Sequence, residues 1–364
     1  MKKLLKLNKK GQIQGVDFAL AMMIFMILFA EIIVLSLSFI EPKYQNLDDR
    51  SLQLKSEQIV DTFFSSSGIP QNWEYLFDST YNSFGLKETG TTNLDPNKIS
   101  RVNPLAYRSL SYDNVKGNLT QDASIGFQMR LLSIFDVSTQ LSLGQPLTTI
   151  NISSNQINCK IWIFLILPNN TVLSKISNIN TTTSQLVTFN MGADPLSSGI
   201  YTAVIIAQHN SKQFAIDYVS EEVGTATSLG LEMTVQEVPD NNGKLQIQSK
   251  NRGGLSSLTA TVVYPYQTGS SNNGTSTLQI NNPESEETLN LSLPTNGTAI
   301  ILLSGNDGGS FSRSVFLFPC LLNKEFNTVF GSEALPTDLE IIKINRIVTI
   351  RECIYQVELY LWSE

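Results

Sequence analysis

Lys160-Ile161-Trp162-Ile163-Phe164-Leu165-Ile166-Leu167 follows one lysine with seven apolar residues and closes on Pro168-Asn169-Asn170. The run is too short for an ordinary globular helix and rich in β-branched and aromatic side chains. It does not alternate with polar residues, so it predicts a strand buried on both faces. Pro-Asn-Asn is turn chemistry, and Thr171–Ile176 returns as the neighbouring strand. Downstream, Leu186–Phe189, Tyr201–Ala207 and Gln213–Val219 continue the pattern, with a turn expected at His209–Asn210. Upstream, Ile125, Phe127, Met129 and Leu131 alternate with their neighbours, as in a half-buried strand. Short strands separated by turn signals at roughly 8–12 residues indicate an immunoglobulin-like sandwich.

A second β region begins near Gly224. Leu229–Val238 and Lys244–Ser249 flank Asp240-Asn241-Asn242-Gly243, a hairpin turn. Leu258–Tyr264, Ala299–Leu303 and Ser314–Phe318 are further strands, and Leu339–Ile350 with Ile354–Trp362 forms a closing hairpin. Residues 266–288 are rich in Ser, Asn, Gly and Thr and are expected as a long surface loop. No repeat period stands out. The pattern fits two separate sandwiches and one elaborated sheet equally.

The start of the chain is different. Val16–Ile40 is apolar apart from Asp17 and Glu31. A helix of 25 residues would cover roughly 37 Å, enough to span a bilayer. It ends in Ile40-Glu41-Pro42, without the small residues of a secretory cleavage site. Lys2, Lys3, Lys6, Lys9 and Lys10 precede it with no acid among them, and beyond Gly11 the 364-residue chain has 20 basic against 32 acidic side chains. Lysines before the helix and an acidic body after it predict a single pass, N-terminus cytoplasmic and body extracellular. An acidic body argues against nucleic acid, whose phosphates need a basic footprint. Asp17 and Glu31 lie on one helical face, as a helix–helix interface would require. Residues 43–66 place Leu47, Leu54, Val60 and Phe63 at helical spacing and predict a stalk helix, stopped by Gly68 and Pro70. Trp73, Tyr75, Leu76 and Phe77 read as a small core packed under that stalk.

Lys9-Lys10-Gly11-Gln12 followed at once by an apolar helix resembles archaeal type IV prepilins with class III signal peptides. The resemblance implies a cut by a prepilin peptidase between Gly11 and Gln12, a retained helix that packs against sister pilin subunits, and an assembly role for Asp17. Ser67-Gly68-Ile69-Pro70-Gln71-Asn72-Trp73, Gly85-Leu86-Lys87 and Leu94 through Lys98 to Ile99 are similar to a series found in archaeal pilin-like surface proteins, as is the terminal hairpin. The resemblance covers about residues 9–130 and 340–362 and leaves the middle unmatched.

The expected fold is therefore mainly β with a long N-terminal α-helix: a membrane-anchoring helix and stalk followed by one or two immunoglobulin-like β-sandwich regions. The expected divisions are a leader at 1–11, transmembrane and stalk helix at 12–66, a loop-rich linker at 67–121, a β-sandwich at 122–222 and a second β region at 223–364. Sequons at Asn118, Asn151, Asn169, Asn180, Asn273, Asn290 and Asn296 all lie beyond the helix, as on a glycosylated outer surface. Cys320 and Cys353 form a candidate disulfide if the compartment is oxidising, and Cys159 reads as a buried thiol.

Catalytic signals are lacking. The single histidine, His209, cannot supply a histidine metal cluster, no G-x-S-x-G or phosphate loop occurs, and Ser304–Ser310 lacks the spaced acids of a calcium loop. The expectation is a non-enzymatic chain without cofactor or metal. Its partners would be the membrane, sister subunits and a surface ligand. As a pilus-like subunit it would display a β head for adhesion; the alternative is a non-polymerising, membrane-tethered extracellular binding protein.

Overall fold

The computed structural model describes residues 18–33, 53–76, 82–102, 109–120, 125–180, 184–224, 231–237, 244–251, 258–267, 274–280, 286–290, 298–307, 310–318, 330–332, 334–351 and 353–363. Contacts divide the chain into two units, Met1–Glu57 and Gln58–Glu364.

Within the larger unit, β1 (Ile125–Ser133) leads into seven strands: β2 (Val137–Ser142), β3 (Leu147–Ser154), β4 (Cys159–Ile166), β5 (Val172–Ile179), β6 (Gln185–Asn190), β7 (Gly199–Asn210) and β8 (Gln213–Val223). These seven build two antiparallel sheets, ordered β2-β3-β6 and β5-β4-β7-β8. Three strands packed on four is an immunoglobulin-like sandwich. Its core joins Leu141, Ile150, Ile152 and Phe189 of one sheet to Ile161, Ile163, Leu165, Tyr201, Ala203 and Ile205 of the other. Tyr201 opens β7 and donates its hydroxyl to the carbonyl of Ser197 at 3.1 Å, the tyrosine corner of such sandwiches. Asn170 turns the chain between β4 and β5 with a φ of 63°.

The β4 run is buried on both faces. Ile161, Ile163 and Leu165 point into the sandwich, while Trp162, Phe164 and Ile166 point the other way and are also buried. Burying each such side chain contributes about 1.5–3 kcal/mol.

Another seven strands follow: β9 (Leu231–Glu237), β10 (Lys244–Asn251), β11 (Leu258–Val263), β12 (Thr275–Ile280), β13 (Glu286–Asn290), β14 (Ala299–Asp307) and β15 (Ser310–Phe318). Their sheets are ordered β13-β10-β9 and β12-β11-β14-β15. Strand for strand this repeats the connectivity of β2–β8, at a step of about 100 residues, the size of one such sandwich. β12 and β13 correct the expectation of a loop over 266–288. Thr275, Thr277 and Gln279 alternate with Leu278 and Ile280, and β12 is an edge strand, where polar residues face water.

The last strands, β16 (Phe330–Gly331), β17 (Ile341–Ile350) and β18 (Cys353–Ser363), return to β1 in a sheet ordered β16-β1-β18-β17. Ile125 lies opposite Ser363 and Ser133 opposite Tyr355 along β1, and Met129 lies opposite Phe330 on its other side. The chain therefore leaves one strand, builds both three-plus-four sets, and comes back to that strand. A sheet shared by β1 and β18 runs across the division drawn at 222/223. β1 is also more buried than its alternation implied. Gln128 is buried too, and its amide donates to the Ser332 carbonyl at 2.8 Å.

Residues 18–33 and 53–65 are helical. The first helix is only part of the expected Val16–Ile40 span, whose other positions lie outside the described residues. Among the described residues no helix is long and apolar enough to cross a membrane. The second helix ends before Gly68, as expected, and buries Ile59, Val60 and Phe63. Leu54, expected on the same stripe, is 63% exposed.

Candidate functional site

Two features stand apart from ordinary sandwich packing. One is the helix over 18–33. All of its residues are exposed, among them Phe18, Met22, Phe25, Met26, Phe29 and Ile33. A soluble helix hides one apolar stripe, whereas this one exposes apolar side chains on every side. Glu31 is exposed on this helix. Lys10, Gly11, Gln12 and Asp17 lie outside the described residues, so the shared acidic face and the cleavage position are not described.

The other is a buried polar staple in the base. Phe63 packs edge-on against Phe84 at 5.1 Å and Phe127 at 5.4 Å, tying the 53–65 helix to β1. Trp73 is buried and donates its indole N–H to the Gly85 carbonyl at 3.1 Å. Gly68 has a φ of +78°, and a Cβ there would stand 2.8 Å from the Trp73 ring. A Cβ on Gly85 would stand 2.4 Å from the Ser66 carbonyl oxygen. The Ser-Gly-x-Pro-x-x-Trp and Gly-Leu stretches are thus two halves of one packing unit.

Lys98 closes that unit. It sits on the Pro96–Val102 helix, which Asp95 caps by accepting the Asn97 N–H at 2.9 Å. The Lys98 side chain is fully buried, and its ammonium donates to the carbonyls of Ser67 at 2.8 Å and Lys87 at 3.1 Å. Glu74 Oε2 stands 3.9 Å away. One turn on, Arg101 donates to the carbonyls of Glu74 at 2.6 Å and Leu76 at 3.0 Å. The two cations therefore hold the chain after the helix, the short Trp73–Tyr75 turn and the Lys87 segment together. This confirms the small core expected at Trp73, although Tyr75 is 36% exposed and Phe77 lies outside the described residues.

Burial, reinforced by the Asp95 charge, pushes the Glu74 carboxyl up to about 7. Between the ordinary carboxylate range and that value the folded protein keeps a proton that the unfolded chain has lost. The Glu74 contribution to stability therefore falls as pH rises from roughly 4.5 through 7, by up to about 3 kcal/mol in all. Glu74→Gln is expected to flatten this slope and to be the more stable protein at pH 8. Denaturant midpoints at pH 5, 6, 7 and 8 check it.

Asn118, Asn151, Asn169 and Asn180 are all exposed. Asn290 is in β13, and Asn273 and Asn296 lie outside the described residues. Cys353 is buried with its sulfur 3.4 Å from the Thr298 hydroxyl, while Cys320 lies outside the described residues. Cys159 is a buried free thiol, and burial raises its pKa. His209 is corrected from turn to strand: the turn falls at Ser211–Lys212, and His209 Nδ1 stands 3.0 Å from the Ile157 carbonyl. Among the described residues no group of three or more His, Cys, Asp or Glu side chains could hold a metal ion.

Arg313 is the residue that sequence reading missed. It lies on β15, yet its guanidinium is spent on the first sandwich. It reaches the carbonyls of Ile200 and Leu167, each at 2.9 Å, the Thr202 hydroxyl at 3.0 Å and the Asn170 side-chain oxygen at 3.1 Å. Trp162 makes a second tie, donating to the Tyr266 carbonyl at 2.7 Å, while the Tyr266 hydroxyl meets Ser174 at 3.0 Å. These contacts cover part of the outer face of β4. The one available signal was a lone arginine in Ser310-Phe311-Ser312-Arg313-Ser314-Val315, an otherwise uncharged strand.

No family model matches the sequence, and no curated protein does. Solved structures similar to the chain include a two-domain fibronectin type III segment of chicken tenascin, at 12% identity over 50% of this chain and 99% of that one, with a TM-score of 0.20. A bacterial ice-binding adhesin, described for host cell surface retention, matches at 13% identity over 51% of this chain and 64% of that one, TM-score 0.19. A tetra-tandem repeat from the extending region of a large adhesion protein matches at 12% identity, over 51% of this chain and 50% of that one, TM-score 0.22.

Proposed function

We propose that this chain is a non-catalytic surface protein of the archaeal type IV pilin-like kind. Its N-terminal helix is held in the membrane or packed against sister helices, and its β body is displayed outside for adhesion. The observation that carries this reading is the 18–33 helix, exposed on every side and apolar apart from Glu31. Such a helix supports a water-free environment. The larger unit carries the β strands that the reading needs for display, arranged as two three-plus-four sets between β1 and β18. Processing between Gly11 and Gln12 by a prepilin peptidase would leave the helix at the new terminus.

The test is the mass of the mature chain in its native membrane. A terminus at Gln12, with processing blocked by Gly11→Val, is the expected result. An intact Met1 in filament-free membranes would move the protein to the non-polymerising tether.

A further inference from the structure

We propose that the junction between the two three-plus-four sets holds a small monovalent anion, of chloride or carboxylate size. The argument begins with the charge of Arg313. Its Nε donates to Ser304 Oγ at 2.9 Å, and its terminal nitrogens reach Ile166, Ile200, Leu167, Thr202 and Asn170. Every one of these acceptors is an uncharged oxygen. The hydrogen bonds are satisfied, but among the described residues none of these partners carries a negative charge. A buried charge without a counter-charge is costly even when its hydrogen bonds are made.

Beside it lies a cleft of about 60 Å³, whose lining includes Asn170, Thr259, Ser304, Phe311, Ser312 and Arg313. A single water needs about 10–15 Å³ by the same measure, so the space is large enough for a small ion. Two of the lining groups have donors to spare. Ser304 Oγ accepts from the guanidinium and keeps its own O–H; Asn170 Oδ1 accepts likewise and keeps its amide Nδ2–H2. The arginine polarises both, so its charge is presented to the cleft through neutral donors. Burial lowers the Arg313 pKa to about 10, which leaves it charged near neutrality. One net charge selects a monoanion.

An anion bound here would favour the folded, closed junction by mass action. The experiment follows thermal unfolding of the full chain in detergent, at fixed ionic strength. Sodium gluconate, a larger and more heavily hydrated anion, is replaced stepwise by chloride or acetate. The expected result is a rise of a few degrees that saturates with either small anion in the wild type and is lost in Arg313→Met. Should that variant fail to fold, Asn170→Gly combined with Ser304→Ala keeps the charge and removes both spare donors. Asn170 already has the positive φ that glycine accepts. Loss of the saturating response there supports the site. A wild-type response that is absent, does not saturate, or persists in either variant overturns it.

Discussion

Lys98→Met should cost the protein about 3–5 kcal/mol, enough to unfold the base under mild conditions. A methionine fills the space of the lysine stem but offers no donor. The carbonyls of Ser67 and Lys87 lose the ammonium that joins them, and the buried Glu74 carboxylate loses a cation 3.9 Å away. Breaking one side of a buried charged cluster costs more than deleting the whole cluster, because the remaining groups stay out of water. Lys343 supplies the control. It pairs with Glu358 at 2.7 Å on the exposed side of the β17–β18 hairpin, and Lys343→Met should barely move the midpoint. Denaturant unfolding of the chain from residue 53, followed by circular dichroism, compares the two. Equal losses would mean that the Lys98 network is no staple.

A second large effect is expected from excision. Replacing residues 135–328 by a short Gly-Ser linker should leave a base that still folds, because both ends of the excursion meet the same strand. Ser133 ends β1, and Phe330 returns opposite Met129, four residues back. About 13 Å of strand separates those positions, so a linker of roughly six residues suffices. The shortened protein keeps Phe63, Phe84, Phe127 and Phe330 as one aromatic cluster. It loses the bond from the Ile354 N–H to the Lys212 carbonyl, the Thr298 contact with Cys353 and the packing of β9 on the Pro96–Val102 helix, so its midpoint should drop clearly without disappearing. A cooperative transition with emission from buried Trp73 and Trp362 is the expected result. An unfolded product would mean that the β body is part of the base's core.

Local physics was legible in the sequence, and pairing across distance was not. The apolar Lys160–Leu167 run, its Pro-Asn-Asn turn and the terminal hairpin announced themselves, because composition and period act over a few residues. The aromatic cluster that begins at Trp73 suggested a small core for the same reason. Nothing local in Ile125–Ser133 says that its neighbour lies at Cys353–Ser363. Edge strands such as Thr275–Ile280 look like loops because their exposed face demands no apolar residue. The doubled connectivity stayed hidden because a sandwich constrains which faces are apolar, not which residues fill them. Arg313 was invisible for a related reason: its partners are mostly backbone oxygens from another domain, which carry no side-chain signature. Composition predicted helix over Val16–Ile40; the described part, 18–33, is helical, and among the described residues no helix is long and apolar enough to cross a membrane.

External proteolysis of intact cells carrying the full chain tests the central claim most directly. The account predicts that added protease removes the β body, which disappears from the cells, while a fragment containing residues 18–33 stays with the membrane. Complete protection of the chain in intact cells, or its recovery as a soluble species with the helix still attached, would contradict it.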